Sequence, residues 1–477
     1  MSTQYGKLVI SVLGSGNIDI DCVEFYDNDY WGKENPKWSQ GKLRKDLVIA
    51  LKELNPKFLR FPGGCIIEGL DRQNEYHWKD SVGELIDRKQ DYNLWAYEEP
   101  DFGYVQSRQI GFYEFFMLCE DLNMEPLPVV WAGMNCQMRK RPSIPFDSEQ
   151  FEIEVVQNAL DLIEYANGDP AKSKWAKLRA DSGHPQPFNM KYISIGNENF
   201  GEDYLRRFRK VKSAIDEKYP NITCVIGTGS EPAGKNFDYT WEQTKNGLAD
   251  VYVDEHFYKK PSWVIKQHTR YDNYSRNGAK VFLGEYAAFN VVAGNISKNF
   301  VGNRYETALA EAAFLTGIER NSDVVKMTCY APLFAMIDGA HWKHNLIYFN
   351  PKSVMRTANY YVQQLFGTTV QNEIINISSN FPKDIFVSAT KSDEVLCIKI
   401  VNTGKSPQNI NVNVAGDSYS KAKITALQCD DLKKKNSISF SGNVNESIMP
   451  TVRELPIANR VNIKIDKYSV NVVQLMK

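Results

Sequence analysis

The sequence predicts an α/β fold, a (β/α)8 barrel of the TIM type followed by a C-terminal all-β sandwich. Apolar strand-like runs alternate with amphipathic segments from Leu43 onward, which is typical of a parallel sheet covered by helices. Two of these runs end in a glutamate, at Glu198 and Glu285, and barrel enzymes place their catalytic groups where strands open into loops. After Leu365 the pattern changes to short alternating runs, which indicate a sandwich.

The barrel strands are identified as apolar, β-rich runs that end in turn or polar residues. Seven such runs can be counted, one short of a closed barrel, and the missing first strand should precede Phe58. Apolar residues at helical spacing predict the helices between them. The predicted strands are 58–61, 126–131, 192–195, 223–226, 251–253, 281–283 and 324–330, and the predicted helices are 43–54, 111–122, 151–166, 204–219, 305–318 and 357–365.

The chain length suggests more than one structural unit. Its 477 residues are enough for a barrel of roughly 250 to 350 residues and a smaller module. We expect residues 1–40 to be the remnant of a preceding β module with a linker, residues 41–366 to be the catalytic barrel, and residues 367–477 to be the C-terminal β-sandwich.

Composition excludes two classes of partner. The 57 basic and 58 acidic residues leave a formal net charge of −1, so no electrostatic field would attract nucleic acid. No stretch approaches the roughly 18 apolar residues of a membrane helix, and the first residues do not resemble a signal peptide. We therefore expect neither a nucleic-acid nor a membrane partner, and the compartment is not assigned.

A pair of carboxylates on separate strands points to the hydrolysis of glycosidic bonds. Cleaving an acetal requires a proton on the leaving oxygen and a second carboxylate that meets the oxocarbenium-like centre. Glu198 or Glu285 taken singly would more often be structural, because acidic residues cap many strands and helices. Their spacing does not decide which of the two has which role.

Other residues near the strand ends fit the same site. Asn197 precedes Glu198 and is placed to hydrogen-bond a sugar 2-hydroxyl, although it is also a common turn residue. His256 and Tyr258 lie two apart on an emerging strand, so both can face the barrel mouth. Trp342 follows the last barrel strand and is a candidate wall of a sugar pocket.

Arg60 ends the first recognised strand, where an inward charge is costly to bury without a partner. A partner such as Glu285 would remove that cost and would have its pKa held low, whereas a purely structural ion pair is the alternative. Asp254 and Glu255 beside His256 suggest a metal site, but three neighbours on an extended strand cannot all point at one ion. We therefore expect no metal.

Four motifs occur in order along the chain. They read Phe-Leu-Arg-Phe-Pro-Gly-Gly-Cys at 58–65, Gly-Asn-Glu-Asn at 196–199, Asp-Glu-His-Phe-Tyr at 254–258 and Gly-Glu-Tyr-Ala at 284–287. Together with residues 304–320, 330–334 and 360–366, they resemble the α-L-arabinofuranosidases of glycoside hydrolase family 51. The resemblance covers roughly residues 40–477.

The resemblance implies a clan A barrel with a C-terminal sandwich and a retaining double-displacement mechanism, with Glu198 as acid/base and Glu285 as nucleophile. The expected reaction removes terminal α-L-arabinofuranosyl residues from arabinose-containing plant polysaccharides or oligosaccharides, without a metal or organic cofactor. Family members are frequently secreted and frequently oligomeric, so a homo-oligomer is an expectation. The resemblance also implies that the arabinose subsite is lined, or the nucleophile oriented, by Arg60, Cys65, Asn197, His256, Tyr258 and Trp342.

The chain departs from the family pattern in two places. Members open with a barrel strand that bears a substrate-binding glutamate, often followed by an inserted sandwich, and residues 8–26 look instead like the closing strands of that insert. This predicts an N-terminally truncated form with an open barrel edge. His344 and Asn345 stand where Pro-Asp is expected, which affects the outer subsite and linkage preference.

Two other functions remain open from the sequence. One is another clan A retaining glycosidase, such as an endo-β-glycanase, which would use the same two carboxylates on a longer cleft. The other is a catalytically impaired sugar-binding remnant, because the first barrel strand was not found.

Overall fold

A computed structural model gives the fold of the chain, and its central feature is a parallel sheet of seven strands that follow one another in chain order. The strands are β1 (Phe58–Phe61), β2 (Glu125–Val130), β3 (Tyr192–Ile195), β4 (Thr223–Gly227), β5 (Tyr252–Lys259), β6 (Lys280–Ala288) and β7 (Val325–Tyr330). All seven predicted strands are present, and the predicted barrel is confirmed as a nearly closed one. The structure describes residues 8–20, 23, 25–94, 105–137, 141–289, 302–337, 342, 344–377, 379–414, 419–439, 441–457 and 460–477.

Strands β5 and β6 are longer than the sequence predicted. Their predicted ends were residues 253 and 283, but the ladder continues to the pair Ala288 and Lys259. The sequence places the end of β5 too early, because the polar residues in its second half resemble a loop. In the structure Asp254 and His256 are buried instead, and their side chains face the interior of the barrel mouth.

A β-bulge at Gly284 sets the position of Glu285. The register between β5 and β6 shifts between Leu283 and Glu285, so Glu285 lies opposite His256. The Gly284 N–H donates to Asp254 Oδ1 at 2.9 Å, and a Cβ at this position would lie 2.1 Å from the same oxygen. Only glycine allows this close approach, and the bulge re-aims the following side chain.

Helices surround the sheet as the apolar spacing predicted. Three of them, Lys174–Asp181, Lys235–Thr244 and Pro261–Lys266, were not predicted, because the last has only six residues and the first two bury one apolar side chain each, Ala176 and Phe237. The short helical turn Glu149–Phe151 and the π-helical segment Glu152–Gln157 lead into the helix that begins at Asn158. The helices are α1 (Lys45–Lys52), α2 (Phe112–Asp121), α3 (Asn158–Asn167), α4 (Lys174–Asp181), α5 (Gly201–Lys218), α6 (Lys235–Thr244), α7 (Pro261–Lys266), α8 (Tyr305–Arg320) and α9 (Ala358–Thr369).

The sheet has one open side. Within the described part of the chain, β1 pairs only with β2 and β7 pairs only with β6. A cavity of about 1880 Å³ follows both free edges and reaches from Lys57 and Lys326 up to the strand ends that carry Glu198 and Glu285. An open edge between the first and last recognised strands is therefore present, as the strand count indicated.

The segment before the barrel differs from its prediction. No strand occurs in the described residues of 8–26, which the sequence assigned to strands. Their apolar side chains lie in solvent, with Leu8 70% and Leu13 98% exposed, because an isolated strand without a sheet partner is not stable. Residues 1–7, 21–22 and 24 lie outside the described residues. Farther along, the short strand Tyr30–Trp31 pairs with Leu43–Arg44.

The C-terminal part is formed by antiparallel strands, as the alternating pattern predicted. The strands are β8 (Glu373–Ile374), β9 (Ile385–Lys391), β10 (Val395–Asn402), β11 (Gln408–Asn413), β12 (Lys421–Gln428), β13 (Thr451–Pro456), β14 (Arg460–Ile465) and β15 (Ser469–Met476). A six-stranded sheet has the order β8-β9-β10-β15-β12-β13, and β11 pairs with β14. One face of the larger sheet joins the barrel core through residues such as Phe386 and Val472, and a second core lies inside the sandwich.

Several further short strands lie outside the two main sheets. They are Asp91–Tyr92 with Val105–Gln106, the three-stranded sheet Phe334–Met336, Ile347–Phe349 and Val354–Arg356, and the hairpin Ser437–Ile438 with Val444–Asn445.

Among the described residues, no helix has the length and apolar character that a membrane span requires.

Candidate active site

Glu198, three residues after the end of β3, and Glu285, within the second half of β6, lie close together. One oxygen of each carboxylate and one ring nitrogen of His256 all lie within 4.8 Å of one another. Retaining glycosidases hold their two carboxyl groups about 5 to 5.5 Å apart, whereas inverting enzymes keep them about 6.5 to 9.5 Å apart to admit a water. The arrangement therefore fits direct attack by one carboxylate on the sugar.

Two hydrogen-bond donors and one further basic side chain surround Glu285. The Arg60 Nη1–H donates to Oε1 at 3.0 Å, the Tyr258 hydroxyl donates to Oε2 at 2.7 Å, and His256 Nδ1 lies 3.6 Å from Oε2. Burial alone would raise the pKa of Glu285, but the charges of His256 and Arg60 and the bond from Tyr258 lower it below its usual value. These contacts therefore keep Glu285 ionised and fix the orientation of its carboxylate.

Glu198 sits on a tight turn at the end of β3. Its φ of 52° lies in the left-handed region, and Gly196 before it has a φ of 79°. The His256 ring, through Nδ1, lies 2.9 Å from Oε1, and the amide of Gln137 donates to Oε2. Glu198 is 8% exposed, so its carboxyl group reaches the cavity while its turn is buried.

His256 lies between the two carboxylates. Its Nε2 is 3.1 Å from Asp254 Oδ2. Burial lowers the pKa of His256, but the charges of Asp254 and Glu285 outweigh this and raise it to about 10. Although Glu198, His256 and Glu285 form a group whose donor atoms could surround an ion, both carboxylates already accept side-chain hydrogen bonds, Glu285 from Arg60 and Tyr258 and Glu198 from Gln137. The donor set fits a hydrogen-bonded acid–base cluster better than a metal centre.

Arg60 connects the two sides of the site. Besides Glu285, its guanidinium donates from Nη2 to Asn197 Oδ1 at 2.7 Å and lies 3.9 Å from Asp254. The Asn197 amide in turn donates to the Cys65 sulfur at 3.8 Å. The structure therefore places Arg60, Asn197 and Cys65 beside the carboxylates, where the sequence predicted them.

Aromatic rings form one wall of the cavity. The Tyr258 ring stacks on Phe289 at 5.2 Å and meets Trp342 edge to face at 5.4 Å. Tyr258, Trp342, Arg60, Cys65 and Asn197 all line the cavity, whereas the ring of His256 is buried behind it. The neighbouring His344 is fully buried, and its ring lies 4.3 Å from Phe289.

Four residues of the site were not identified from the sequence. The sequence suggests Asp254 only as a metal ligand. Its spacing of two from His256 is the signal that places it on the same face of the strand, toward the site. Gln137 and Cys136 come from the loop after β2, and Glu68 from the loop after β1. Loop residues carry no periodic signal, so only the three-dimensional structure brings them to the site.

Comparison with known proteins gives the same family for both halves of the chain. Residues 50–276 match the family model described as "Alpha-L-arabinofuranosidase 1 domain". Residues 284–469 match the model described as "Alpha-L-arabinofuranosidase C-terminal domain". The two matches meet near residues 276–284, at the start of β6. The second match therefore includes the end of β6 and all of β7 as well as most of the sandwich.

Individual relatives support the same grouping. The extracellular exo-α-L-arabinofuranosidase of Streptomyces chartreusis is 38% identical over 92% of this chain and 49% of its own length. The α-L-arabinofuranosidase 2 of Arabidopsis thaliana is 35% identical over 83% of this chain and 55% of its own length. The chain thus spans about half the length of these curated relatives.

Solved structures agree in fold. The arabinose-bound MgGH51 α-L-arabinofuranosidase superposes with a TM-score of 0.79 at 28% identity, over 91% of this chain and 67% of that one. The α-L-arabinofuranosidase of Thermotoga maritima, in an arabinose complex, gives a TM-score of 0.69 at 20% identity, over 91% of this chain and 90% of that one, and shows the fold alone.

Proposed function

The chain belongs to the α-L-arabinofuranosidases of glycoside hydrolase family 51, and we propose that it is a retaining exo-α-L-arabinofuranosidase. The observation that supports this most directly is the pair of buried carboxylates, Glu198 and Glu285, with an oxygen of each within 4.8 Å of the other. Its substrates are arabinose-containing plant polysaccharides or their oligosaccharides, from which it removes terminal α-L-arabinofuranosyl residues.

Glu285 is the nucleophile in this proposal. Because the bonds and charges of Arg60, Tyr258 and His256 favour its ionised form, it can attack C1 of the arabinofuranosyl group. The bond from C1 to the leaving oxygen breaks, and the carboxylic acid of Glu198 gives its proton to that oxygen. The product of this step is an ester between Glu285 and the sugar.

Glu198 then acts as a base. Its carboxylate takes a proton from water, the water oxygen bonds to C1, and the ester bond breaks so that Glu285 leaves as a carboxylate. Two inversions at C1 return arabinose with its original configuration. Asn197 accepts a hydrogen bond from Arg60 and keeps its amide close to the sugar, while Cys65 and Trp342 line the subsite.

The test is the release of 4-nitrophenolate from 4-nitrophenyl α-L-arabinofuranoside by the wild type and three variants. We expect Glu285→Ala to lower kcat by roughly 10⁴-fold or more. Glu198→Ala should slow mainly the hydrolysis of the sugar ester, because 4-nitrophenolate leaves without much help from an acid. Glu242→Ala changes an exposed glutamate on α6 and should retain full activity.

Azide separates the two roles. Added to Glu198→Ala, it should restore turnover and yield an arabinosyl azide of retained configuration, because azide needs no general base. Added to Glu285→Ala, it should give the inverted azide. The opposite pattern would exchange the roles, and wild-type enzyme without activity on any arabinofuranoside would refute the proposed function.

The alternative as an endo-β-glycanase is not favoured by the comparisons. The reaction products distinguish the two functions. An exo-enzyme releases only monosaccharide from an arabinose-decorated oligosaccharide, whereas an endo-enzyme yields shorter oligosaccharides. The reading as an impaired sugar-binding remnant is likewise not favoured, and it would require binding without turnover.

A further inference from the structure

Glu68 is a buried acid that the proposed mechanism does not use. It lies three residues after Cys65, in the loop that follows β1, and is 0% exposed. No described residue forms an ion pair with its carboxyl group, although Arg141 donates to its backbone carbonyl oxygen. A carboxyl group so placed needs an explanation, because burying an unpaired charge is costly.

The carboxyl group of Glu68 contacts the turn that carries Glu198. Its Oε1 accepts the backbone N–H of Asn197 at 3.2 Å, in a fully buried hydrogen bond. Its Oε2 is buried and has no hydrogen-bond partner among the described residues. The side chain of Glu68 therefore holds the peptide group between Gly196 and Asn197, one residue before Glu198.

That turn depends on external support. Glu198 has a φ of 52°, and a non-glycine residue in the left-handed region is strained unless its surroundings hold it there. Besides Glu68 and the side-chain bonds of Asn197 and Glu198 described above, two further bonds anchor the turn. The Gly196 N–H donates to the Val130 carbonyl at 2.7 Å, and the Asn199 side chain donates to the Asn135 carbonyl at 3.2 Å.

The surroundings of Glu68 favour its uncharged form. Burial, which is the largest effect, raises the pKa of Glu68 well above its usual value, and the nearby Cys136 and Glu198 raise it further. A neutral carboxylic acid can still accept the Asn197 N–H through its carbonyl oxygen. It also places no negative charge beside Glu198.

We propose that Glu68 is a positioning residue that fixes the strained turn carrying Glu198 by means of an uncharged carboxyl group. This inference rests on the proposed function of Glu198 as acid/base. Glu68 is fully buried and is not among the residues that line the cavity, so its effect on turnover acts through the orientation of Glu198. Steps that need the acid should therefore depend on it more than steps that do not.

Two variants of similar volume separate the parts of the proposal. Glu68→Gln is uncharged and keeps an acceptor oxygen for Asn197, so we expect kcat within about threefold of the wild type and an unchanged pH profile. Glu68→Leu has no acceptor. Because a misplacement of about 1 Å can cost on the order of 100-fold, we expect kcat to fall by about tenfold to 100-fold, with little change in KM.

The dependence on the leaving group distinguishes positioning from a general structural effect. The loss of kcat/KM, which reports formation of the sugar ester, should in Glu68→Leu be several times larger for an alkyl α-L-arabinofuranoside, which needs a proton from Glu198, than for the 4-nitrophenyl substrate. Glu311→Leu is the matched control. Glu311 is another fully buried acid, whose Oε1 accepts the Ala288 N–H at 2.9 Å, and its replacement should affect both substrates equally. Equal losses on both substrates for Glu68→Leu would overturn the proposal.

Two further measurements need no turnover, so they separate failure of this inference from failure of the proposed function. At neutral pH, infrared difference spectra of wild type minus Glu68→Gln should contain the C=O band of a protonated carboxyl group. Hydrogen exchange at the Asn197 N–H should be slow in the wild type and Glu68→Gln and faster in Glu68→Leu. A carboxylate band, or equal exchange in all three proteins, would overturn the proposal even if the wild type were inactive on arabinofuranosides.

Discussion

Arg60 contacts the proposed nucleophile and the residue that precedes the proposed acid/base. Its guanidinium donates to the Glu285 carboxylate and to the Asn197 side chain, at 3.0 and 2.7 Å. One rigid, planar group thus fixes the nucleophile relative to the residue that precedes the acid/base, which a lysine could not do from a single ammonium.

We expect Arg60→Met to lower kcat/KM by about 100-fold to 1000-fold, because one charged donor to the reacting group is lost. Since Arg60 helps to lower the pKa of Glu285, that pKa should rise in the variant. The acid limb of the kcat/KM profile should then move to higher pH, as measured from pH 3 to 9. Arg270→Met removes a guanidinium that pairs with Glu255 instead, so an equal movement in that variant would contradict this assignment.

His256 links the site to folding stability. Its pKa is raised from 6.5 to about 10 in the folded protein, where burial is outweighed by Asp254 and Glu285. A group with a raised pKa in the folded state stabilises that state fully below its unfolded pKa, and the stabilisation is lost as the pH rises through the folded value. The relevant window is therefore between about pH 6.5 and pH 10.

We expect the free energy of unfolding of the wild type to fall by roughly 4 kcal/mol more than that of His256→Gln across this window. Urea unfolding at several pH values measures both proteins, and their difference removes the contributions of groups that titrate in each. Parallel curves for the two proteins would show that His256 is neutral in the folded state.

At the level of elements, β5 divides its side chains between two surroundings. Asp254, His256 and Tyr258 face the site, whereas Glu255 points outward between helices. There Glu255 pairs with Arg270 at 3.0 Å. It also accepts hydrogen bonds from Trp241, Tyr271 and Tyr274 at 3.0 to 3.1 Å.

Glu255→Met should therefore affect stability and not chemistry. Removing one partner leaves Arg270 buried without a counter-charge, which costs about 3 to 5 kcal/mol. We expect the free energy of unfolding to fall by that amount, measured in guanidinium chloride, while kcat per folded molecule stays near the wild-type value. The double variant with Arg270→Met should recover part of the loss, and a large loss of kcat in the single variant would contradict this separation of roles.

The elements show why the sequence predicts some features of the site and not others. Strand periodicity is local, so it identifies the seven strands and the glutamates that follow two of them. The bulge at Gly284 and the left-handed turn at Glu198 depend on contacts with Asp254 and Glu68, which are far away in the sequence. The same holds for the loop residue Gln137, because nothing in the sequence around it indicates that it reaches Glu198.

On the scale of the whole molecule, the sandwich is attached to the barrel through buried polar groups. Glu319 at the end of α8 accepts bonds from Lys399 and Ser388 of the sandwich. The Tyr305 hydroxyl, at the start of the same helix, lies within hydrogen-bonding distance of the carbonyl oxygens of Leu427 and Tyr468, at 2.8 and 2.7 Å. The two parts thus share one interface along the full length of α8.

This interface was not apparent from the sequence. The alternating run at 395–401 predicts a strand correctly, but it makes Lys399 appear to be a solvated residue on the outer face. In the structure Lys399 is 0% exposed, because that face of the sheet packs against α8. Alternation alone cannot show whether the polar face of a strand meets water or a buried carboxylate from another part of the chain.

The pair of Lys399 and Glu319 therefore gives a test of how the two parts are joined. Lys399→Met should leave the Glu319 carboxylate buried without its counter-charge and lower the free energy of unfolding by about 3 to 5 kcal/mol. In the double variant with Glu319→Gln, the neutral amide can still accept a hydrogen bond from Ser388, so most of the loss should be recovered. Because the barrel and the sandwich share this interface, calorimetry of Lys399→Met should show one transition at a lower temperature, with kcat at 25 °C unchanged. Two separated transitions would instead mean that the barrel folds independently of the sandwich.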